Sequence, residues 1–297
     1  MTFEQLAIFV AVAEREHLTR AAEAIRLTPS AVSASIKNLE AFYGVELFHR
    51  VGRRIELTQT GRVFLAEART TLARVRSAEL LLSELGGLQR GELSLYASQT
   101  IASYWLPSVM MRFHQAYPGI ELNLTIGNSR MVADAVIEGQ ADLGLVEGEI
   151  DAPLLSSVVV AQDALVVVVA PGHPWADGRP LDARQLMADS GWVMREKGSG
   201  TRSAFEAAID DLAPSLPPMQ IALVLPSNEA VLSAVQAGYC AAAISNAAAG
   251  LYLQQGLLVK AGFDLPTRNF RLLRHKQRHA SQASMVLEQM CRDGRAA

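Results

Sequence analysis

Between Thr60 and Leu85, the residues Phe64, Ala68, Thr71, Val75, Ala78, Leu82 and Leu85 follow one another in steps of four and three. Proline is absent from this stretch and does not recur until Pro107. A 3.5-residue spacing held for about three heptads predicts a long helix whose seam faces a second copy of itself. Three of the seven seam residues are small, which favours close helix approach. A helix packed on its own domain is the alternative. Gly86-Gly87 ends the helix and supplies a hinge. So long a helix divides the chain into a short N-terminal part and a longer C-terminal part.

In the N-terminal part, Phe3, Leu6, Ala7, Val10 and Ala13 recur at helical spacing. A second short helix is predicted from about Thr19 to Ile25, with Thr19 as N-cap and Ala21-Ala22 leaving room for a crossing partner. Thr28 suits the next N-cap, and Pro29 suits the first helical position, where its missing N–H has no helical partner. That third helix continues to about Phe42, burying Val32, Ile36 and Leu39, and Gly44 ends it. Two short helices joined by a tight turn form a helix-turn-helix. Glu46-Leu47-Phe48 and Arg54-Ile55-Glu56-Leu57 then flank a hairpin tip rich in arginine, which is a wing.

Beyond Gly91, strands and helices alternate. Strands are expected at Glu92–Ala97, Ile120–Ile126, Asp142–Val146, Leu165–Ala170, Trp192–Met194, Ile221–Val224, Ala242–Ser245 and Phe270–Arg274. Helices are expected at Ile101–Tyr117, Ser129–Glu138, from Gly198-Ser199-Gly200-Thr201 to about Leu212, and Asn228–Ala237. This is α/β architecture, which places ligands at helix N-termini outside the strand ends. The charge is uneven: residues 1–90 carry twelve Lys/Arg and ten Asp/Glu, and no aspartate precedes Asp134. That bias permits a first domain that approaches phosphates.

Together these segments resemble the LysR-type transcriptional regulators. The resemblance is carried by Leu18-Thr19-Arg20-Ala21-Ala22-Glu23, Thr28-Pro29-Ser30-Ala31-Val32-Ser33, Ile36-Lys37-Asn38-Leu39-Glu40, Leu47-Phe48-His49-Arg50 and Leu57-Thr58-Gln59-Thr60-Gly61. Leu106-Pro107, Phe113, Tyr117-Pro118, Asp142-Leu143-Gly144 and Gly198-Ser199-Gly200-Thr201-Arg202 continue it. It implies a winged helix-turn-helix at 1–59, a linker and dimerisation helix at 60–87, and an effector domain at 88–297. The effector domain would resemble periplasmic binding proteins, with one subdomain at 91–163 and 266–297, a second at 164–265, and the ligand between them. The implied partners are promoter DNA, a second copy in a homodimer or homotetramer, and a small-molecule effector. No cofactor is implied.

For DNA, the third helix is assigned to the major groove. Thr28, Pro29, Ser30, Ser33, Ser35 and Lys37 are its candidate contacts, with Arg20 on the preceding helix. Many family members carry Gln at the position of Pro29, Arg at Ala34 and Gln at Ser35. Losing those longer groups implies more reliance on serine contacts, thymine-methyl packing and DNA shape. Arg50, Arg53 and Arg54 are candidates for phosphate or minor-groove contact, or for pairing with Glu46 or Glu56 in the same hairpin. Thr28 and Thr58 serve phosphates or serve only as helix caps.

For the effector, three loops carry converging hydroxyls and free N–H groups: Ser98-Gln99-Thr100, Asn128-Ser129, and Gly198-Ser199-Gly200-Thr201. Ser245, Asn246 and Arg195 join them. Arg195 either supplies charge or pairs with Glu196 or Asp211. Glu147 opposes an anion if it faces the cleft, and otherwise recognises an amine or points to solvent. The expected effector is a small inorganic anion or a small carboxylate.

Enzyme chemistry finds little in the sequence. The six histidines show no metal-ligand spacing, no GxSxG or phosphate-loop string occurs, and His173 sits in a Pro/Gly turn. Cys240 and Cys291 are too few for a disulfide scaffold and lie far apart, so thiol redox sensing is the lesser alternative. A solute-binding protein without regulatory role would not need residues 1–60. The longest apolar runs fall short of the ~20 residues of a spanning helix, and the first residues lack the basic start of a signal peptide, so the cytoplasm is the expected location.

Overall fold

A computed structural model describes residues 1–51, 54–85, 91–212 and 218–293. The chain divides into two compact units, Met1–Leu88 with Ile137–Gln140, and Gln89–Val136 with Ala141–Ala297. Among the described residues no helix is long and apolar enough to cross a membrane.

In the first unit, α1 (Phe3–Arg15) opens with a capping box between Thr2 and Gln5. Helix α2 (Leu18–Ala24) starts one residue earlier than expected. Thr19 lies inside it, and the cap is His17, whose Nδ1 accepts the Arg20 amide at 3.4 Å. An imidazole nitrogen thus does the work expected of a hydroxyl. Helix α3 (Pro29–Tyr43) follows the local chemistry: Thr28 Oγ1 accepts the Ala31 amide at 3.2 Å, Pro29 fills the first turn, and Gly44 closes the helix at φ +65°. The wing is β1 (Phe48–Val51) against β2 (Arg54–Leu57), antiparallel, with Phe48 opposite Leu57. Gly52 and Arg53 lie outside the described residues, as do the side chains of Arg50 and Arg54.

The long helix is α4 (Gln59–Leu85). Ala68 is buried, and Phe64 and Leu72 pack against the core built from Phe9, Leu39 and Leu57. Further along the same seam Ala78 is exposed and Leu82 is 70% exposed. The first half of the helix therefore packs on its own unit, while Ala78 and Leu82 in the second half are exposed. The side chain of Leu85 and the Gly86-Gly87 hinge lie outside the described residues. Gly61 permits the docking, because a Cβ there would stand 2.1 Å from the Leu47 carbonyl oxygen on the chain entering the wing.

The second unit runs β3 (Gly91–Ser98), α5 (Gln99–Tyr104), α6 (Leu106–Ala116), β4 (Ile120–Gly127), α7 (Ser129–Glu138), β5 (Leu143–Glu147), β6 (Leu155–Val169), α8 (Ala183–Ala188), β7 (Trp192–Arg195), α9 (Gly200–Leu212), β8 (Ile221–Leu225), α10 (Asn228–Ala237), β9 (Ala242–Ser245), α11 (Asn246–Gln254), β10 (Val259–His275) and α12 (Gln282–Asp293). Six strands form one sheet in the order β4-β3-β5-β10-β6-β9, and β7 pairs with β8 in a separate parallel ribbon.

Two expectations are corrected. The single helix over Ile101–Tyr117 breaks at Trp105, since Pro107 has no N–H to donate and its ring crowds the carbonyl four residues back; Pro107 instead sits in the first turn of α6. The strands expected at Leu165–Ala170 and Phe270–Arg274 are the ends of much longer ones. β6 and β10 pair antiparallel from Leu155↔His275 to Val169↔Val259, with irregularities near Asp264 and Phe270. They run past two apolar cores. One includes Leu95, Phe113, Leu145 and Phe270; the other includes Val167, Trp175, Trp192 and Phe205.

His173 belongs to the second core, not to a site. Its Nδ1 accepts the Trp175 amide at 3.1 Å, which leaves the proton on Nε2, 3.2 Å from Ser190 Oγ. Burial lowers its pKa, against a smaller opposing effect of a backbone hydrogen bond involving Tyr239. The unfolded chain therefore takes up a proton near the ordinary histidine value of ~6.5, while the folded chain refuses it until lower pH. Stability should be flat above that value and fall as pH drops below it. Urea titrations between pH 8 and about 5.5 check this, and a His173→Gln variant should lose that slope.

Candidate effector site and nucleic-acid interface

Helix α3 buries Val32, Ile36 and Leu39. At about 3.6 residues per turn, the opposite face holds Ser30, Ala34 and Lys37, flanked by Ala31 and Asn38. All five are exposed. Ser33 and Ser35 are only half-buried flank positions, so two of the expected serines stand beside the stripe, while Ala34 stands at its centre. Thr28 is exposed, but its hydroxyl already accepts the Ala31 amide and lies 3.1 Å from Ser30 Oγ. Thr58 is a cap as well: it donates to the Glu46 carbonyl at 2.8 Å and accepts the Gly61 amide at 2.9 Å. Arg20 and Pro29 are exposed. In the wing, Glu56 lies 3.7 Å from His49.

In the second unit, a buried polar cluster gathers where the end of β5 and the end of β9 meet the middle of β6 and β10. Arg268 on β10 lies opposite Asp163 on β6. Its Nε and Nη2 both reach Asp163 Oδ2, at 2.9 and 2.7 Å, and Ser245 Oγ donates to Asp163 Oδ1 at 2.8 Å. Arg268 Nη1 donates to Thr201 Oγ1 on α9 at 3.0 Å. Glu147, 4% exposed at the end of β5, accepts from Ser129 Oγ on α7 at 3.3 Å through Oε2. Its Oε1 lies 3.8 Å from Arg268 Nη2 and has no hydrogen-bond partner. Gly200 covers this carboxylate so closely that a Cβ would stand 2.6 Å from Glu147 Oε2.

A second set of contacts ties α10 to α5. Asn228 donates through Nδ2 to Thr100 Oγ1 at 3.1 Å and through its amide to Gln99 Oε1 at 2.8 Å. Arg195 Nη1 donates to Asn228 Oδ1 at 2.6 Å. Glu229 accepts from Gln99 Nε2 at 2.7 Å and from the Tyr104 hydroxyl at 3.1 Å. Burial, and secondarily the Glu229 carboxylate, pushes the Tyr104 hydroxyl up to about 12, so it remains a donor at any physiological pH.

Of the residues expected from sequence, the buried cluster brings together Ser129, Glu147, Thr201 and Ser245, and the second set brings together Gln99, Thr100 and Arg195. Ser98 and Ser199 are buried, and Ser98 Oγ has no hydrogen-bond partner. Asn128 caps α7 through the Met131 amide and reaches Glu196 at 3.4 Å. Asn246 is exposed. Arg195 resolves in favour of Glu196, which takes its Nε and Nη2 at 2.8 and 3.0 Å. The sequence reading missed Asp163, Arg268 and Asn228. Alternation could have found the first two: Asp163 is in phase with inward-facing Leu165 and Val167, and Arg268 with Phe270 and Leu272.

Both cysteines are free. Cys291 is fully buried, and that burial pushes its thiol up to about 12, away from the thiolate that redox sensing requires. Among the described residues no group of three or more His, Cys, Asp or Glu is arranged to hold a metal ion.

Comparison with known proteins matches both units. Residues 3–62 match the model for bacterial regulatory helix-turn-helix proteins of the lysR family, and residues 86–296 match the LysR substrate binding domain. The chain is similar to YeiE of Escherichia coli (strain K12), named an uncharacterized HTH-type transcriptional regulator, at 35% identity over 285 residues, 95% of this chain and 94% of that one. Its fold is similar to that of full-length CbnR complexed with its target DNA, at a TM-score of 0.70 and 22% identity, covering 99% of each chain. It is also similar to the Synechocystis PCC6803 CcmR regulatory domain in complex with 2-PG, at a TM-score of 0.63 and 24% identity, covering 70% of this chain and 98% of that one.

Proposed function

The chain belongs to the LysR family of bacterial regulatory helix-turn-helix proteins, and from that premise we propose how it reads DNA and what it senses. The observation that carries the DNA reading is the exposed stripe opposite the buried face of α3. Ser30 and Lys37 supply hydrogen bonds there, and the Ala34 methyl suits a thymine methyl in the major groove. Thr28 and Pro29 set the start of that helix, Ser33 and Ser35 border it, and Arg20, Arg50, Arg53 and Arg54 serve the phosphates or the minor groove. With short side chains on the stripe, phosphates supply affinity and DNA shape supplies much of the specificity.

The protein acts as a homo-oligomer in this reading. The open half of α4 offers one apolar surface. Strand β8 offers another, with Ile221, Leu223 and Val224 exposed on the edge of its ribbon. The effector domain spans 88–297, and its lobes are 91–163 with 266–297 and 164–265. A small carboxylate or anion binds among Ser98, Thr100, Ser129, Ser199 and Thr201, with Gln99, Asn128, Glu147, Arg195, Ser245 and Asn246 around them. Its binding shifts how the dimers sit on DNA, on the usual scale of ~1–3 kcal/mol of coupling.

Selection from a random duplex library by the full-length protein tests this: a paired, dyad-symmetric half-site is the expected product. On the selected site, Lys37→Ala should reduce the slope of log affinity against log salt by about 0.9 if that lysine neutralises a phosphate. An unchanged slope removes Lys37 from the phosphate contacts, and an unselected pool overturns the sequence-specific reading.

A further inference from the structure

The charges of the buried cluster do not balance, and the imbalance names a ligand group. Arg268 gives two of its donors to Asp163 and a third to Thr201. Arg195 gives its charge to Glu196. Glu147 is the remainder: a carboxylate 4% exposed, held by one hydroxyl, with Oε1 bare and the nearest cation at 3.8 Å. Two carboxylates and one guanidinium leave a formal excess of one negative charge around Arg268. A buried charge of this kind is costly unless a partner meets it. Ser98 Oγ, 1% exposed, is a second buried polar atom without a partner, at the end of the strand beside β5.

We propose that the effector carries a protonated amine beside its carboxylate, so that its ammonium meets Glu147 while its carboxylate is taken by the hydroxyls. The effector class is then an amino acid or a related zwitterion. This rests on the effector site proposed above and adds the positive group that the site lacks. Ammonium supplies three donors, enough for Glu147 Oε1 and a neighbouring hydroxyl together. Gly200 leaves room beside Glu147 Oε2 that a Cβ would close to 2.6 Å, and the next residue, Thr201, is held to Arg268 at 3.0 Å, so the site adjoins the start of α9. Recognition at Glu147 therefore takes place beside the first turn of a helix.

The test uses the full chain and matched probes: glycine, alanine, γ-aminobutyrate and glutamate, against acetate, propionate, butyrate and glutarate. Thermal melts at millimolar ligand should shift upward by a few degrees for at least one amino compound and not for its deaminated counterpart. Glu147→Gln should abolish that selectivity. An upward shift with the plain carboxylates alone overturns the amine and leaves the effector site standing. A shift from neither set overturns both. The unliganded Glu147→Gln protein adds a readout that needs no ligand. It should melt at or above the parent, because a neutral amide keeps the Ser129 hydroxyl and removes the orphaned charge. A loss of several degrees assigns Glu147 to a structural pair with Arg268 and overturns the proposal.

Discussion

Replacing Arg268 by methionine is expected to cost about 3–5 kcal/mol of stability, the range measured when one partner of a buried ion pair is removed. The reason is the environment left behind. Asp163 would keep one donor, Ser245 Oγ, and Glu147 would lose its nearest cation. Both carboxylates are buried, at 8% and 4% exposure. Thr201 would also lose the donor that fixes the start of α9 to β10. Against a whole-domain stability of about 5–15 kcal/mol, the loss is a large fraction. Urea denaturation followed by fluorescence measures it, with Trp175 and Trp192 packed in the adjoining core. The double substitution Asp163→Asn, Arg268→Met should lose less than the sum of the single changes, because each single change strands a charge that the pair removes together. A single-variant loss below about 1 kcal/mol would place the pair in the weak class of solvent-exposed ion pairs and contradict the burial of both side chains.

The same two residues mark where the sequence stops being legible. Several helix starts were readable from local chemistry, since Thr28-Pro29 opens α3, Ser129 opens α7 and Asn228 opens α10, but the His17 cap of α2 and the Asp182-Gln185 capping box of α8 were missed. Gly61 and Gly144, which carry part of the family resemblance, have a steric meaning visible only in three dimensions. A Cβ at 144 would stand 2.7 Å from Val136 on α7, so the glycine lets helix and strand touch. Arg268 and Asp163 were lost differently. Each lies two residues before the strand expected from its apolar run, because a charge ended the pattern that a window reads. Pairing partners far along the chain keep β6 and β10 extended through those charges, and no local signal reports a partner 105 residues away. Helix α11 was missed for another reason: Asn246–Gln254 is nearly uniform in apolar character, so no face stands out. Within α3, the wheel was available from sequence, yet Ser33 and Ser35 were favoured over Ala34 by chemistry instead of angle.

Gly200→Ala is the substitution expected to separate sensing from folding. The added Cβ would stand 2.6 Å from Glu147 Oε2, 2.7 Å from the Glu147 carbonyl and 2.7 Å from Ser129 Oγ. A flexible side chain could yield to such a contact, but the carbonyl belongs to β5, which is fixed by β3 on one side and β10 on the other. The strain therefore falls on α9. Its first turn must move away from β5, stretching the Thr201 to Arg268 hydrogen bond of 3.0 Å. Overpacking of this kind costs about 1–3 kcal/mol. Since α9 lies against Glu147, the variant would hold Thr201 away from Arg268 whether or not a ligand is bound. Its DNA response should then lose most of its dependence on effector, while the α3 surface is chemically untouched. Gly200→Ala in full-length protein, compared by melt and by DNA binding with and without the effector, reads both quantities. A lowered melt with a preserved effector response would mean that α9 moves without consequence for the DNA. An unchanged melt would mean that Glu147 and Ser129 recede together, and that the close contact at Gly200 sets nothing.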